Sequence, residues 1–420
     1  MSRLVKELPR HETAYVLTGL TRWLHPALAH TVIGQLAKAG IPELEVRQKA
    51  FGDGMPLYLV DSAQHALLLY WLTGETWEQV IPELCLVGSA LTINPDQAGS
   101  NVDRLGVFLV IDGRQDRRTR KPFADEGIGL NEKGNLIVKS QFLFVPVIAK
   151  ILAHVVKASY VCTVDLHSHY AAKSFRDEGL DFINLTALPV FADGLIQGGY
   201  INRGDQDVVI STTDLGGLPR AYAMSELLDV SLAIILKKRK MSSNDVDSQV
   251  ESELAHGDLK DKIVILVDDM IASGGSMEKA VQLILKYGAR EIIICATLPV
   301  CCGNYYTNLE KVLSFPQVRM IFVTDALPLQ DRPQNAISLP YVFEEGEQKQ
   351  MQYLPIGQYL GWAISVLLRS ADLLEAKKEL GNAVLNLRDP YSLYQEITGE
   401  ELQRPEDVGV YHRDQQILLF

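Results

Sequence analysis

Short apolar runs rich in β-branched residues alternate along the chain with segments in which apolar residues recur at helical spacing. Such runs are typical of strands that are covered on both faces. The alternation therefore favours an α/β architecture with mostly parallel sheets. The clearest predicted strands are Gly106–Ile111, Tyr160–Val164, Val208–Ser211, Ser231–Leu236, Ile263–Val267, Glu291–Ala296 and Arg319–Val323.

The stretch KIVILVDDMIASGGSMEKAVQLI, residues 262–284, shows how one strand is followed by candidate chemistry. Its apolar run Ile263–Val267 predicts a buried strand, and two adjacent carboxylates, Asp268 and Asp269, come directly after it. The small residues 273–276 then precede a segment with apolar side chains at helical spacing, namely Met277, Ala280, Val281 and Ile284. The stretch thus predicts a strand, a loop and a helix.

The loop in this stretch has the composition of a phosphate-binding loop. Small residues before a helix let backbone N–H groups converge on one point, and the helix N-terminus adds partial positive charge. Two carboxylates repel a neighbouring phosphate unless they accept hydrogen bonds from sugar hydroxyls or hold a divalent cation. From this segment alone, a plain strand-to-helix turn with an aspartate cap is the alternative.

Composition and charge argue against several classes of protein. The chain has 420 residues, of which 47% are hydrophobic, and a net charge of −12 with a pI of about 5.3. We expect no nucleic-acid partner and no membrane partner, because phosphate backbones and anionic surfaces need an electropositive face. The five cysteines lack paired metal-ligand spacing. With no leader-like segment and no apolar run of about eighteen residues, we expect a cytoplasmic protein.

Two polar stretches interrupt the pattern, and a third region changes it. Residues 119–139 contain three glycines and residues 238–261 contain few large apolar side chains, so we predict that both are mobile surface segments. After about residue 342 the sequence becomes charged and helical in pattern. We predict domains at 1–155 and 156–342, followed by a helical extension at 343–420.

Four segments together resemble one enzyme family. VDDMIASGGS, residues 267–276, is similar to the ribose-phosphate signature of the phosphoribosyltransferase fold. TVDLHSHYAAKSF at 163–175, GRQDRRTRKP at 113–122 and VVISTTDLGGLPRAYAMSELLDVSLAIILKKRK at 208–240 resemble further segments of the ribose-phosphate diphosphokinases, which make phosphoribosyl pyrophosphate. Because the segments occur in the family's order, the chain resembles a divergent member of that family.

The resemblance implies two tandem phosphoribosyltransferase-like α/β domains with parallel sheets, and the C-terminal helical extension lies outside it. The first domain would carry an ATP-site segment and the second the ribose-phosphate loop. The resemblance also implies Mg²⁺ as cofactor, ATP and a ribose-5-phosphate-containing acceptor as partners, and a homo-oligomer.

The same resemblance implies roles for individual residues. AFGDGMPLYLV at 50–60 is similar to the family's Phe-x-Asp-Gly-Glu segment, which contacts adenine, so Phe51 and Asp53 are expected to bind ATP. The residues expected to bind ATP are Phe51, Asp53, Arg114, Gln115 and His167. Those expected to bind ribose phosphate are Asp214, Asp268, Asp269, Ala272, Ser273, Gly274, Gly275 and Ser276. The expected metal ligands are His167 and Asp214, and the expected catalytic cations are Lys237 and Arg239, which would stabilise charge on the transferred phosphates.

Some positions depart from the family pattern. Ala272 stands where these enzymes usually carry an aspartate, and Met55 stands where they carry a glutamate. CCGNYY at 301–306 does not match the usual Ser-Gly segment of the regulatory site. His167 and His169 could alternatively form a transition-metal pair, although no third ligand follows at suitable spacing.

The implied reaction transfers the diphosphate of MgATP to the anomeric hydroxyl of ribose 5-phosphate, giving phosphoribosyl pyrophosphate and AMP. Three alternatives stay open. The acceptor could be a larger ribose-5-phosphate ester such as ADP-ribose, the chain could be a catalytically silent regulatory homologue, or it could be a phosphoribosyltransferase. The last would not need the segments at 113–122 and 163–175.

Overall fold

The computed structural model describes residues 10–17, 26–44, 46–50, 56–60, 62–72, 77–92, 102–111, 128–130, 136–138, 144–167, 169–240, 249–327 and 350–402. The strands are β1 Arg10–Leu17, β2 Val46–Ala50, β3 Pro56–Val60, β4 Ser62–Leu72, β5 Val102–Ile111, β6 Ile128–Leu130, β7 Leu136–Val138, β8 Tyr160–Val164, β9 Asp181–Leu185, β10 Val208–Thr212, β11 Ser231–Leu232, β12 Ile234–Lys240, β13 Gln249–His256, β14 Ile263–Met270, β15 Glu291–Leu298, β16 Val318–Thr324 and β17 Gln350–Leu354. The α-helices are α1 Pro26–Lys38, α2 Trp77–Thr92, α3 Phe144–Lys150, α4 His169–Asp177, α5 Leu188–Gln197, α6 Leu218–Leu228, α7 Gly275–Lys286, α8 Tyr305–Ser314, α9 Gly357–Arg369, α10 Leu373–Leu380 and α11 Pro390–Thr398.

Two parallel sheets form the framework. The first has five strands in the order β1-β4-β5-β8-β9, and the second has six in the order β11-β10-β14-β15-β16-β17. All neighbouring strands within these two sheets pair in parallel. The predicted α/β fold with parallel sheets is therefore confirmed.

The predicted strands are all present, most of them extended by a few residues. Ser231–Leu236 differs, because Ala233 divides it into β11 in the second sheet and β12 in a separate antiparallel pair with β13. Of the strands in the two parallel sheets, β1, β4, β9 and β17 were not predicted. β1 begins with RHET and β4 with SAQH, so neither shows a purely apolar run.

The domain bounds stay a prediction, and the sheets add detail to them. β8 and β9, which follow residue 156, pair within the first sheet, whereas β17 of the predicted extension pairs within the second. The mobility predicted for 238–261 also stays a prediction. Part of that segment forms the strand β13, which pairs with β12. Backbone hydrogen bonds between the two strands need no large apolar side chain, so a strand can form here despite the polar sequence.

Helix α9 belongs to the main core, although the sequence assigned it to an extension. One continuous cluster of buried side chains contains residues of α1, both sheets and α9. Two glycines of α9 allow α1 to approach closely: a Cβ on Gly357 would lie 2.9 Å from Thr31 Cβ, and one on Gly361 would lie 2.6 Å from Gln35 Cβ. Larger side chains at these positions would push the helices apart.

A buried histidine joins the first sheet to α9. His65 of β4 donates from Nδ1 to the carbonyl oxygen of Leu368 (2.9 Å), and its Nε2 accepts from the Tyr160 hydroxyl (2.9 Å). Burial, and then the charge of Arg104, lower the pKa of His65 to about 4, although the bond to Leu368 raises it. His65 therefore stays neutral in the folded protein at pH 7.

We predict that His65 makes stability fall in acid. In the unfolded chain it takes up a proton near pH 6.5, but in the folded chain only near 4. The stability it contributes is full above pH 6.5 and is lost as the pH falls from 6.5 to 4. Urea unfolding at pH 7.5 and pH 5 should show that the wild type loses about 2 kcal/mol more than His65→Gln over this interval.

His154→Gln is the matched control, because the side chain of His154 is 66% exposed. This variant should keep the part of the pH dependence that His65 causes. A wild-type slope that persists in His65→Gln would contradict the prediction.

Candidate active site

A cleft opens at the carboxyl ends of β10 and β14, where ligands bind in open parallel sheets. Asp214 follows β10, Asp268 and Asp269 lie at the end of β14, and His167 reaches the same place from the loop after β8. The cleft contains about 600 Å³ of empty space, part of which is open solvent. The lining residues are His167, Thr213, Asp214, Gly216, Gly217, Asp268, Asp269, Met270, Ile271, Ala272, Ser273, Gly274, Ser276 and Met277.

The predicted phosphate loop leads into the N-terminus of α7. Gly274 has φ +77°, a left-handed conformation that glycine adopts without strain. Carbonyl groups of the loop are held from behind: Ala272 O accepts from Cys302 N (2.9 Å), and Ser273 O accepts from Asn308 Nδ2 (2.8 Å). The first N–H groups of α7 have no partner within the helix, so this end can bind an anion.

The two adjacent carboxylates have opposite electrostatic environments. Asp268 is half-buried and accepts from Thr213 Oγ1 (3.0 Å) and from the backbone N–H of Asp269 (2.9 Å). Burial first, and then the charges of Asp269 and Asp214, raise the pKa of Asp268 to about 8. A cation in the cleft would favour its ionised form.

Asp269 is fixed as a carboxylate. Its burial alone would raise its pKa, but the charge and hydrogen bond of His167, followed by the charge of Arg220, hold that pKa well below its usual range. His167 Nδ1 lies 2.9 Å from Asp269 Oδ2 and 3.1 Å from Oδ1. Arg220 Nη1 lies 3.7 Å from Oδ1. A histidine of the loop after β8 and an arginine of helix α6 therefore meet at one carboxylate.

Behind the cleft, Asp165 joins the two sheets. This carboxylate is fully buried and accepts from Thr186 Oγ1 (2.8 Å), Ala187 N (2.8 Å), Thr297 Oγ1 (2.6 Å) and Arg220 Nε (3.3 Å). The first two donors follow β9 of the first sheet, Thr297 belongs to β15 of the second, and Arg220 belongs to α6. Asp165 has φ +43°, so the backbone is held in an uncommon conformation here.

Arg220 carries its charge in a site from which water is excluded. It is 4% exposed, and its Nη2 has no hydrogen-bond partner among the described atoms. Burial lowers its pKa, but Asp165, Asp269 and Asp268, in that order, raise it beyond the usual value. Neither Arg220 nor Asp165 was among the candidate site residues named from the sequence. The signal available in the sequence was an aspartate placed directly after the predicted strand Tyr160–Val164.

The structure brings together most of the predicted ribose-phosphate residues. Asp214, Asp268, Asp269, Ala272, Ser273, Gly274 and Ser276 line the cleft with His167, and Gly275 begins α7. Lys237 and Arg239 lie in β12, but their side chains are outside the description. Phe51, Asp53, Arg114 and Gln115 fall outside the described residues.

The carboxylates fit a metal that completes its coordination elsewhere. Within the described part of the chain, no group of three or more His, Cys, Asp or Glu side chains is arranged to hold a metal ion. Mg²⁺ usually takes one or two protein carboxylates and fills its other positions with water and substrate phosphates. Asp214 and the crowded Asp268 offer carboxylates for such partial coordination, and His167, the other predicted ligand, lines the same cleft.

Known proteins resemble this chain in sequence and in fold. Residues 192–305 match the model of the phosphoribosyl transferase domain. The ribose-phosphate pyrophosphokinase of Marinomonas sp. (strain MWYL1) is 31% identical over 203 residues, which are 47% of this chain and 58% of that protein. The ribose-phosphate pyrophosphokinase of Campylobacter jejuni is 32% identical over 209 residues, 48% of this chain and 61% of that protein. The chain thus spans about three fifths of the length of these relatives.

A solved structure matches over a greater length. The phosphoribosylpyrophosphate synthetase from Mycobacterium smegmatis superposes with a TM-score of 0.57 at 22% identity, covering 85% of this chain and 98% of that one. At this identity the match concerns the fold. None of the described helices is long and apolar enough to span a lipid bilayer.

We predict that Asp165 and Arg220 are strongly coupled in stability. Arg220→Met leaves Asp165 buried without its cation, which should cost about 3–5 kcal/mol of the free energy of unfolding. Asp165→Asn combined with Arg220→Met should cost clearly less than the sum of the two single changes. Urea unfolding of the four proteins of this cycle measures the coupling.

Lys173→Met is the control, because Lys173 forms an exposed pair with Asp177 (2.6 Å) and should contribute less than about 1 kcal/mol. Additivity of the Asp165 and Arg220 changes to within about 0.5 kcal/mol would contradict the coupling.

Proposed function

We propose that this chain, a divergent member of the ribose-phosphate pyrophosphokinase family, transfers the diphosphate of MgATP to the anomeric hydroxyl of ribose 5-phosphate. The products are phosphoribosyl pyrophosphate and AMP. The observation that carries the proposal is the contact between His167 Nδ1 and Asp269 Oδ2, at 2.9 Å. It brings a loop of the first sheet into a cleft of the second, as a reaction with two phosphorylated substrates needs.

The second sheet supplies the acceptor side of the proposed site. The loop at 272–276 and the N-terminus of α7 hold the 5-phosphate through backbone N–H groups. Asp268 and Asp269 accept hydrogen bonds from the ribose 2- and 3-hydroxyls, because a carboxylate offers several lone pairs and no donor.

Cations supply the ATP side of the proposed site. Mg²⁺, when bound through Asp214 and His167, would neutralise charge on the phosphates and orient them. Lys237 and Arg239, on β12, act on the charge that spreads over the transferred phosphate oxygens in the transition state. Arg220 acts from behind, because its charge keeps Asp269 ionised beside His167.

We predict that the purified protein with Mg²⁺ and ATP forms AMP in proportion to added ribose 5-phosphate. Chromatographic separation of AMP, ADP and ATP after incubation measures this directly, and a panel of ribose phosphates that includes ADP-ribose tests the acceptor. AMP formed only with the larger ester would move the assignment to that acceptor. AMP formed with no acceptor, or pyrophosphate released from phosphoribosyl pyrophosphate and a nucleobase, would contradict it.

We predict that two pairs of residues affect kcat and KM differently. The first pair is the two cations on β12, Lys237 and Arg239, and the second is the acidic pair Asp268 and Asp269. Lys237→Ala or Arg239→Ala should lower kcat by about 10²- to 10³-fold with little change in KM, since these cations act on transition-state charge. Asp269→Asn should also raise KM for the acceptor, since it removes a ground-state contact. Steady-state kinetics in both substrates separates the two cases.

Lys173→Ala is the matched control, because Lys173 is an exposed lysine on α4 and pairs only locally with Asp177. Lys173→Ala should leave kcat and KM within about twofold of the wild type. Equal effects on KM in the two sets of variants would refute this division of roles.

A further inference from the structure

The last described helix packs at the point where the β12–β13 hairpin leaves the second sheet. Buried side chains of three elements form one small cluster: Leu218 of α6, Ile234 and Leu236 of β12, and Leu393 and Tyr394 of α11. Leu393 and Ile234 are 0% exposed and Tyr394 is 1% exposed. Helix α11 therefore completes a core around the base of the hairpin.

We propose that α11 is a seat that positions the β12–β13 hairpin, and with it Lys237 and Arg239, relative to the cleft. The inference rests on the proposed function for the role that it gives these two cations. Leu393 and Tyr394 would be positioning residues that act through Ile234 and Leu236.

The hairpin needs such support, because a two-stranded antiparallel ribbon is at best marginally stable in water. After Ala233, whose N–H donates to Ile210 O (2.8 Å), the chain leaves the second sheet, and β12 pairs with β13 alone. Lys237 is the residue directly after Leu236 in β12. A shift of Leu236 therefore displaces the backbone of Lys237 immediately.

Helix α11 also reaches the other wall of the cleft. It contacts the 3₁₀ turn Leu215–Gly217, which follows Asp214, and Leu215 packs against the same apolar cluster. β12 contacts this turn as well. One helix thus holds both the segment beside the predicted metal ligand and the segment that carries the predicted cations.

The seat is itself fixed to the first sheet. Just before α11, Leu385 N donates to Asn184 O (2.8 Å), and Thr186 N donates to Ala383 O (2.9 Å). Asp389 caps the helix by accepting from Ser392 N (2.9 Å). Since Thr186 also donates to Asp165, the loop that holds the buried carboxylate holds the approach to α11 too. The hairpin is therefore positioned relative to both sheets.

Hydrogen exchange on the full chain without ligands tests the seat. In Leu393→Ala, amides of β12 and β13 should exchange at least about tenfold faster than in the wild type, because the hairpin loses the apolar support that α11 gives to one of its faces. Leu380→Ala is the control, since Leu380 is equally buried on α10 in a different cluster that contains no hairpin residue. It should leave the hairpin protected. Leu393→Met conserves the volume and should restore protection.

The kinetic measurement separates failure of the seat from failure of the proposed function. If the chain forms AMP, Leu393→Ala should lower kcat by about tenfold or more while KM stays within about twofold, and Leu393→Met should recover the rate. The exchange measurement needs no activity, so it tests the seat even for a chain that transfers no diphosphate. If Leu393→Ala does not fold, Ile397→Ala, at a partly buried position of the same cluster, replaces it.

Unchanged exchange in the hairpin of a folded Leu393→Ala or Ile397→Ala protein would overturn the proposal. Equally accelerated exchange of the hairpin amides in Leu380→Ala would also overturn the proposal, since that result would assign the effect to general destabilisation.

Discussion

A guanidinium buried between carboxylates of two sheets is the interaction on which the rest of this site depends. Arg220 lies 3.3 Å from Asp165 and 3.7 Å from Asp269, where neither charge can be hydrated. Removing two charges from water costs several kcal/mol for each ion, and only close geometry with further hydrogen bonds offsets that cost. Asp165 has those further bonds, from Thr186, Ala187 and Thr297. Relative movement of the sheets would uncover a charge, so their alignment is narrowly defined.

The same arrangement sets the electrostatics of the cleft. Arg220 and His167 keep Asp269 ionised, and the negative charge of Asp269 in turn raises the pKa of Asp268. Two identical side chains, adjacent in sequence, therefore have pKa values that are shifted in opposite directions. The cleft presents one fixed carboxylate and one that responds to a bound cation. The loop at the N-terminus of α7 offers backbone N–H groups and the positive end of the helix dipole, so anion and cation sites share one cavity.

The sequence predicted the elements whose signal is local. The apolar run before Asp268 and the small residues before Met277 contain their own strand, loop and helix, and the structure has all three. The contact of Asp165 with Arg220 was not predictable in this way, because it joins residues 55 apart in sequence and on different elements. Pattern also failed for β1, which begins with polar residues, and for β4, where the polar His65 is buried with specific partners. The strand β13 was not predicted, because its sequence contains few apolar residues. Its stability comes from backbone pairing and neighbouring side chains.

The fit of α9 against α1 has a consequence for synthesis on the ribosome. Gly357 and Gly361 lie on helix α9, and they face a helix made more than three hundred residues earlier. Until α9 has emerged, the apolar side chains of α1 and of that face of the first sheet lack the cover that α9 gives them. The nascent chain therefore carries an exposed apolar surface from the synthesis of α1 until that of α9, a state in which chains aggregate or bind chaperones. The first sheet acquires this cover only after Gly357–Arg369 has left the ribosome.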